Sequence, residues 1–305
     1  MTVLFQIAGT VVLALAVSLG AVVFFRTVRV QRAPIGTFNG RDITMTMGFV
    51  LVLPYVYLAL PGATLPTLLA LAFAGGLTVG YQAVVPDGRI RWALIAALLV
   101  TVMTCSLAIG SDSPAYWLAN SCLVGLIVVS ATNLNVQGGM RLRHVALFLL
   151  ALTAYDAFFA TVVPLTQELA DAIQGYPFAP TAGMRIGGLA AVVGMGDLLA
   201  YALYTTAAYK AYGRPGLATA LTLVTLFGAV APSATLHITT AVTGQEPSLV
   251  PAQIFFGPVA FLGYLVLRRR GPERRMAQVP APRAVRRTAT RQPDPVLGSG
   301  DPRPV

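Results

Sequence analysis

The sequence predicts an all-α protein that crosses a membrane about nine times, and three observations carry that reading. First, of 305 residues, 56% are hydrophobic and only 10% are charged, with a mean hydropathy of +0.73. Second, the apolar residues fall in runs of about twenty, the length of helix that spans ~30 Å of hydrocarbon at ~1.5 Å rise per residue. Third, the basic residues gather in alternate short connections and at the C-terminus, the pattern that sets membrane orientation. Topology therefore accounts for the net charge of +10 without nucleic acid. Arginine supplies twenty of the 21 basic residues and Lys210 the other, a bias that suits high-GC prokaryotic coding and a prokaryotic plasma membrane.

Span one covers residues 3–25 and begins without positive charge, whereas a cleaved signal peptide carries its charge in front. It is followed by Arg26, Arg29, Arg32 and Arg41, so its N-terminus is expected outside. Span two, 44–60, ends at the outer turn Pro61-Gly62, and span three, 65–85, returns to the inner turn Pro86-Asp87-Gly88-Arg89. Span four, 92–110, exits at Ser111-Asp112-Ser113-Pro114, and span five, 116–136, comes back to Arg141 and Arg143. Span six is 145–163. Residues 164–185 form the longest internal connection, expected outside and suited to a mobile docking segment. Span seven, 186–209, ends inside at Lys210 and Arg214. Span eight is 216–237, and span nine, 249–267, runs into Arg268-Arg269-Arg270, which places the C-terminus in the cytoplasm. Only Arg185 falls on the wrong side of this scheme.

Residues 1–144 then hold helices one to five, and 145–270 hold helices six to nine. Residues 271–305 carry seven prolines, seven arginines and three acids, too little apolar surface to fold alone. They read as a disordered basic cytoplasmic tail that fixes topology and attracts anionic lipid headgroups. Cys105 and Cys122 stand apart with no CxxC and read as small buried thiols. No metal and no cofactor is implied.

The eleven acids sort cleanly. Nine lie in predicted connections or the tail; Asp156 and Asp197 alone lie well inside spans. A carboxylate at membrane depth costs roughly 2.5–3.5 kcal/mol on insertion scales, so such residues are functional candidates by default. Their depths match: Asp156 comes thirteen residues after Arg143, and Asp197 thirteen before Lys210. Each therefore sits roughly 20 Å from the basic face. Antiparallel neighbours would bring the two together, and one shared proton would relieve most of the desolvation. That state suits an aspartyl hydrolase, with a carboxylate to accept a proton from water and a carboxylic acid to donate toward a carbonyl. Paired intramembrane acids also relay protons in transporters, so a proton-coupled transporter is the alternative. Transporters usually show an internal repeat, and none is evident between the halves.

The flanking residues narrow the choice. Tyr155-Asp156 on one span is followed by Gly194-Met195-Gly196-Asp197 on the next, and the last span opens Pro251-Ala252-Gln253. This YD, GxGD and Pro-Ala-x series resembles the intramembrane aspartyl proteases of the presenilin and signal peptide peptidase family. Asp156-Ala157-Phe158-Phe159 is especially similar to the signal peptide peptidase branch. The third family motif is Pro-Ala-Leu, and here Gln253 replaces the leucine. The resemblance covers about residues 145–267. It implies Asp156 and Asp197 as the catalytic pair, with Tyr155, Gly194, Gly196, Pro251, Ala252 and Gln253 around them and 251–253 non-helical. It further implies peptide-bond hydrolysis within transmembrane segments, without a cofactor. The arginine-based orientation matches signal peptide peptidases, so type II anchors and signal-peptide remnants are the expected substrates. Prepilin peptidases share GxGD but hold their acids near the cytoplasmic face, which the depth estimate disfavours; a silent helix-binding scaffold remains a further option.

Overall fold

The computed structural model describes residues 2–30, 40–62, 64–161, 168, 176–186, 189–243 and 250–274. Among these, nine helical segments match the nine predicted spans in order. They are α1 (Thr2–Thr27), α2 (Gly40–Ala59), α3 (Leu65–Gly80), α4 (Gly88–Thr104, with a π-helical turn Cys105–Ile109), α5 (Pro114–Gln137) and α6 (Leu142–Thr161). Then come α7 (Met195–Tyr212), α8 (Arg214–Leu223, a π-helical Val224–Val230 and Ala231–Thr243) and α9 (Gln253–Arg268). Six of them are long and apolar enough to cross a membrane: α1, α2, α4, α5, α6 and α8. Their ends follow local chemistry. Asp87 caps α4 by accepting from the amides of Arg89 (2.8 Å) and Ile90 (3.3 Å). Ser113 caps α5 ahead of Pro114, and Gly213, at φ +70°, supplies the left-handed link from α7 to α8. Large apolar side chains such as Phe49, Val52, Leu71, Val100 and Leu118 stay exposed on the helix flanks, as a lipid-facing surface requires.

The predicted seventh span is where the structure departs most from the sequence reading. Helix α7 starts nine residues later than expected, at Met195. Before it, β1 (Thr181–Ile186) pairs antiparallel with β2 (Leu189–Gly194), in a register running from Thr181 opposite Gly194 to Ile186 opposite Leu189. The expected 164–185 connection therefore ends in a strand, not in open loop. Two residues, Gly187 and Gly188, lie between the strands in the sequence. Hydropathy alone reads an apolar strand of this length as helix. Helix α5 closes the outer edge of β1. Ser121 Oγ donates to the carbonyl of Gly183 and accepts from its amide, both at 2.9 Å, and Asn120 Nδ2 donates to the carbonyls of Ala179 (3.0 Å) and Thr181 (2.8 Å). An edge strand inside a membrane protein needs such partners, because its free amides and carbonyls find no water in lipid.

Tertiary contacts sort the connections onto two ends as the arginine pattern predicts. At one end, Gln137 bonds the backbone of Val28 and Val30, and Lys210 Nζ donates to the carbonyls of Val136 (2.7 Å) and Met140 (2.8 Å). Lys210 is thus a buried cap on the end of α5 rather than an exposed anchor. His144 is likewise buried, beside Arg141 and Arg143. At the other end, Tyr116 reaches the carbonyl of Tyr176, and Arg185 pairs with Asp112 at 2.6 Å while lying over the Trp117 ring. The one arginine that breaks the charge pattern is therefore neutralised on the spot. Cys122 is exposed and Cys105 half-buried, so neither is the buried thiol expected.

The first four residues after α9's terminal arginines fold back onto the bundle; residues 275–305, the rest of the expected tail, lie outside the described residues. Glu273 accepts from the amides of Leu142 (3.2 Å) and Arg143 (3.1 Å) at the start of α6. Arg274 donates to the carbonyls of Tyr209 (2.9 Å) and Ala211 (3.2 Å) at the end of α7. One dipeptide thus caps two helices with the charge that each end favours. Glu273→Ala should lower stability by about 1 kcal/mol, the usual worth of an N-terminal cap. The thermal midpoint in detergent reads this directly, and an unchanged midpoint would rule the cap out.

At the centre of the bundle stands α7, almost wholly buried and packed by α1, α5, α6, α8 and α9. Ala200, Ala202, Ala207, Ala208 and Ala211 let the neighbouring backbones approach closely, the usual basis of helix association in lipid.

Candidate active site

The chain's two intramembrane acids come from two packed helices. Helix α6 carries Asp156 and α7 carries Asp197, each half-buried and near enough for the charge of Asp197 to act on Asp156. Tyr201 lies one turn beyond Asp197 and is fully buried. Its ring lies edge-on to Phe256 at 5.0 Å, and its hydroxyl donates to the carbonyl of Gly228 at 2.6 Å, within the π-helical stretch of α8. Gly228 has no room for a side chain, since a Cβ would come within 2.8 Å of the Tyr201 ring. The π-turn and the glycine together seat the tyrosine beneath the acids.

The GxGD residues have separable roles in the structure. Gly194 ends β2 and is the N-cap of α7, with the amide of Met195 bonded to the carbonyl of Pro180 at 2.8 Å. Asp197 consequently lies in the first turn of α7, not in mid-helix. Gly196 is exposed, and a Cβ built there would meet nothing within 4 Å. The gap beside Asp197 is open space, which Gly196→Val would fill. We expect that variant to fold with an unchanged thermal midpoint; a marked drop would show that the space is not open.

Tyr155 packs against Phe159 (4.6 Å between centroids), and Phe159 in turn meets Tyr55 of α2 and Phe158. These rings form an aromatic wall beside Asp156. In the third motif, Pro251 and Ala252 precede the helix, while Gln253 is the first residue of α9 rather than part of a non-helical stretch. Gln253 Nε2 donates to Asp197 Oδ1 at 2.8 Å, and its backbone carbonyl accepts from Thr153 Oγ1 at 2.9 Å. Thr153 sits one turn before Asp156, so a single residue ties α9 to both acid-bearing helices. Two residues of this site, Thr153 and Tyr201, escaped the sequence reading. Their only local signal is helical spacing of three and four from an acid.

The fold and the paired carboxylates define a polytopic helical membrane protein with an acid pair between antiparallel helices. In particular, the chain has the fold of a solved presenilin family intramembrane aspartate protease, with a TM-score of 0.57 and 17% identity over 87% of this chain and 100% of that one. No family model matches the sequence, and no curated protein does either.

Proposed function

We propose that this protein is an aspartyl endopeptidase that hydrolyses peptide bonds within transmembrane segments, with Asp156 and Asp197 as its catalytic pair. The observation that carries the reading is that packed helices α6 and α7 each carry one of the two intramembrane acids, near enough to influence each other, on the fold of an intramembrane aspartate protease. Two close carboxylates retain one proton between them, because both cannot readily ionise. The ionised one takes a proton from water as the new C–O bond forms, and the protonated one gives its proton to the carbonyl oxygen. The resulting gem-diol collapses when the amide nitrogen receives a proton from the first acid and the C–N bond breaks. A diol hydroxyl returns its proton to the second acid, so the pair ends as it began. A substrate helix must unwind locally, since its carbonyls are otherwise satisfied within the helix. No cofactor enters this cycle. Purified protein should cleave a generic single-span polypeptide, and an aspartyl transition-state inhibitor should stop it. Proton or solute flux without peptide product would favour a transporter instead.

The arginine distribution supports a prokaryotic plasma-membrane protein with its N-terminus outside and C-terminus in the cytoplasm. A chiral site accepts a peptide in one direction only, so this orientation favours spans whose N-terminus lies inside, such as type II anchors and signal-peptide remnants. Single cysteines at Ser111 and Gly139 in a Cys-free background should label from opposite sides, with Gly139 reachable only from the cytoplasm. One transmembrane sequence offered in both orientations at matched expression should be cut only with its N-terminus inside; cleavage confined to the opposite orientation would overturn the substrate assignment. The arginine-rich tail is assigned to anionic lipid headgroups, by charge alone.

A further inference from the structure

Gln253 stands where the resembling family has leucine, and its surroundings give it more than a packing role. It is 3% exposed, which removes it from direct contact with a substrate. Its Nε2 meets Asp197 Oδ1 at 2.8 Å, and its Oε1 is buried with no partner among the described residues. Reversing the amide would leave an amino group with two unmet donors in that position in place of one unmet acceptor, a costlier arrangement. The amide therefore meets Asp197 as a donor. A neutral carboxylic acid beside an amide can close a two-bond ring, its O–H reaching the amide oxygen; that second bond is not made. Asp197 also lies in the first turn of α7, where unpaired backbone N–H groups favour negative charge. Asp156 lacks such help: among the described residues no hydrogen-bond donor meets its carboxyl.

We propose that Gln253 is a positioning residue that holds Asp197 as the ionised member of the pair, leaving the shared proton on Asp156. The proposal rests on the endopeptidase reading and assigns its two roles: Asp197 takes the proton from water, and Asp156 gives its own to the carbonyl oxygen. The groups facing Asp197 are few. Helix α6 presents Asp156, with Tyr155 next to it, and α7 presents Tyr201. Strand β2 carries no ionisable residue, and those of α9, Tyr264 and Arg268, lie eleven or more residues beyond Gln253.

The test uses Gln253→Met, which keeps length and bulk but removes the donor, in full-length protein with a fluorescently tagged single-span polypeptide. The acidic limb of the kcat/KM profile should move up by about one pH unit, the equivalent of one hydrogen bond to a charged group, with little change in thermal midpoint. Gln253→Leu, the family residue, should behave likewise. An unmoved limb in a folded variant would overturn the proposal, since loss of packing alone lowers rate without shifting the profile. Infrared titration gives a second readout that needs no turnover. In Asp156→Asn, where Asp197 stands alone, the pH at which the protonated-carboxyl band disappears should rise by about one unit when Gln253→Met is added. In Asp197→Asn the same addition should leave it unmoved, and the opposite pattern would overturn the proposal. Should the wild type cleave nothing, the endopeptidase reading fails, while the infrared titrations still report whether Gln253 acts on Asp197.

Discussion

Replacing either Asp156 or Asp197 with asparagine should abolish cleavage while leaving the fold intact. Asparagine matches the shape of aspartate, so the packing of α6 and α7 is preserved and a buried potential charge is removed. It cannot take a proton from water or give one to a carbonyl at neutral pH. Positioned general acid–base catalysis contributes about 10²–10⁴-fold for one group, and in this cycle each acid serves twice. We therefore expect a loss of at least ~10³-fold in kcat for each single variant. The double variant should be scarcely worse, because groups that act as a unit are not additive. Among the described residues, no third acid is placed with them to take over. Single-turnover cleavage of a tagged single-span polypeptide is the measurement. Activity within tenfold of wild type in either variant would sink the enzyme assignment.

Gly257→Ala should come close to that effect from outside the acid pair. A Cβ on Gly257 would lie 2.6 Å from the carbonyl oxygen of Leu149 and overlap Thr153 Oγ1. The obstacle is the backbone of α6, which cannot rotate away as a side-chain tip would. Helix α9 must then move off α6 and take Gln253, one turn earlier, with it. Overpacking of this kind costs about 1–3 kcal/mol in stability, and a displacement of ~1 Å at reacting groups costs about 10²-fold in rate. A drop in thermal midpoint together with that loss of kcat/KM is the expected pair of readings. Gly75→Ala is the matched control. Nothing lies within 4 Å of a Cβ there, so the change should be neutral or, by helix propensity, stabilising by up to ~1 kcal/mol. Equal behaviour of the two variants would show that the approach of α6 and α9 does not matter.

The sequence by itself determined the membrane class, nine helical spans in order among the described residues, the grouping of their connections onto two ends, and which two acids stand within apolar runs. It could do so because lipid leaves a spanning backbone few options. Each span must satisfy its own hydrogen bonds and be apolar for about twenty residues, so hydropathy writes the helices out one by one. An acid in such a run is conspicuous for the same reason. The tertiary structure alone decided what depends on segments far apart in the chain. The run 189–194 is as apolar as a helix, yet it pairs with 181–186, and α5 supplies Ser121 and Asn120 to the edge of that strand pair. This moved Asp197 from mid-span to the first turn of α7, where helix-end amides act on it. Gln253 is 56 residues from Asp197 and 100 from Thr153, and no local pattern announces either bond. The backbone partners of Lys210 and Glu273, on α5 and at the start of α6, are likewise remote in the chain. Periodicity reports what a segment must do about its solvent; which buried polar atom meets which is set by how the segments pack.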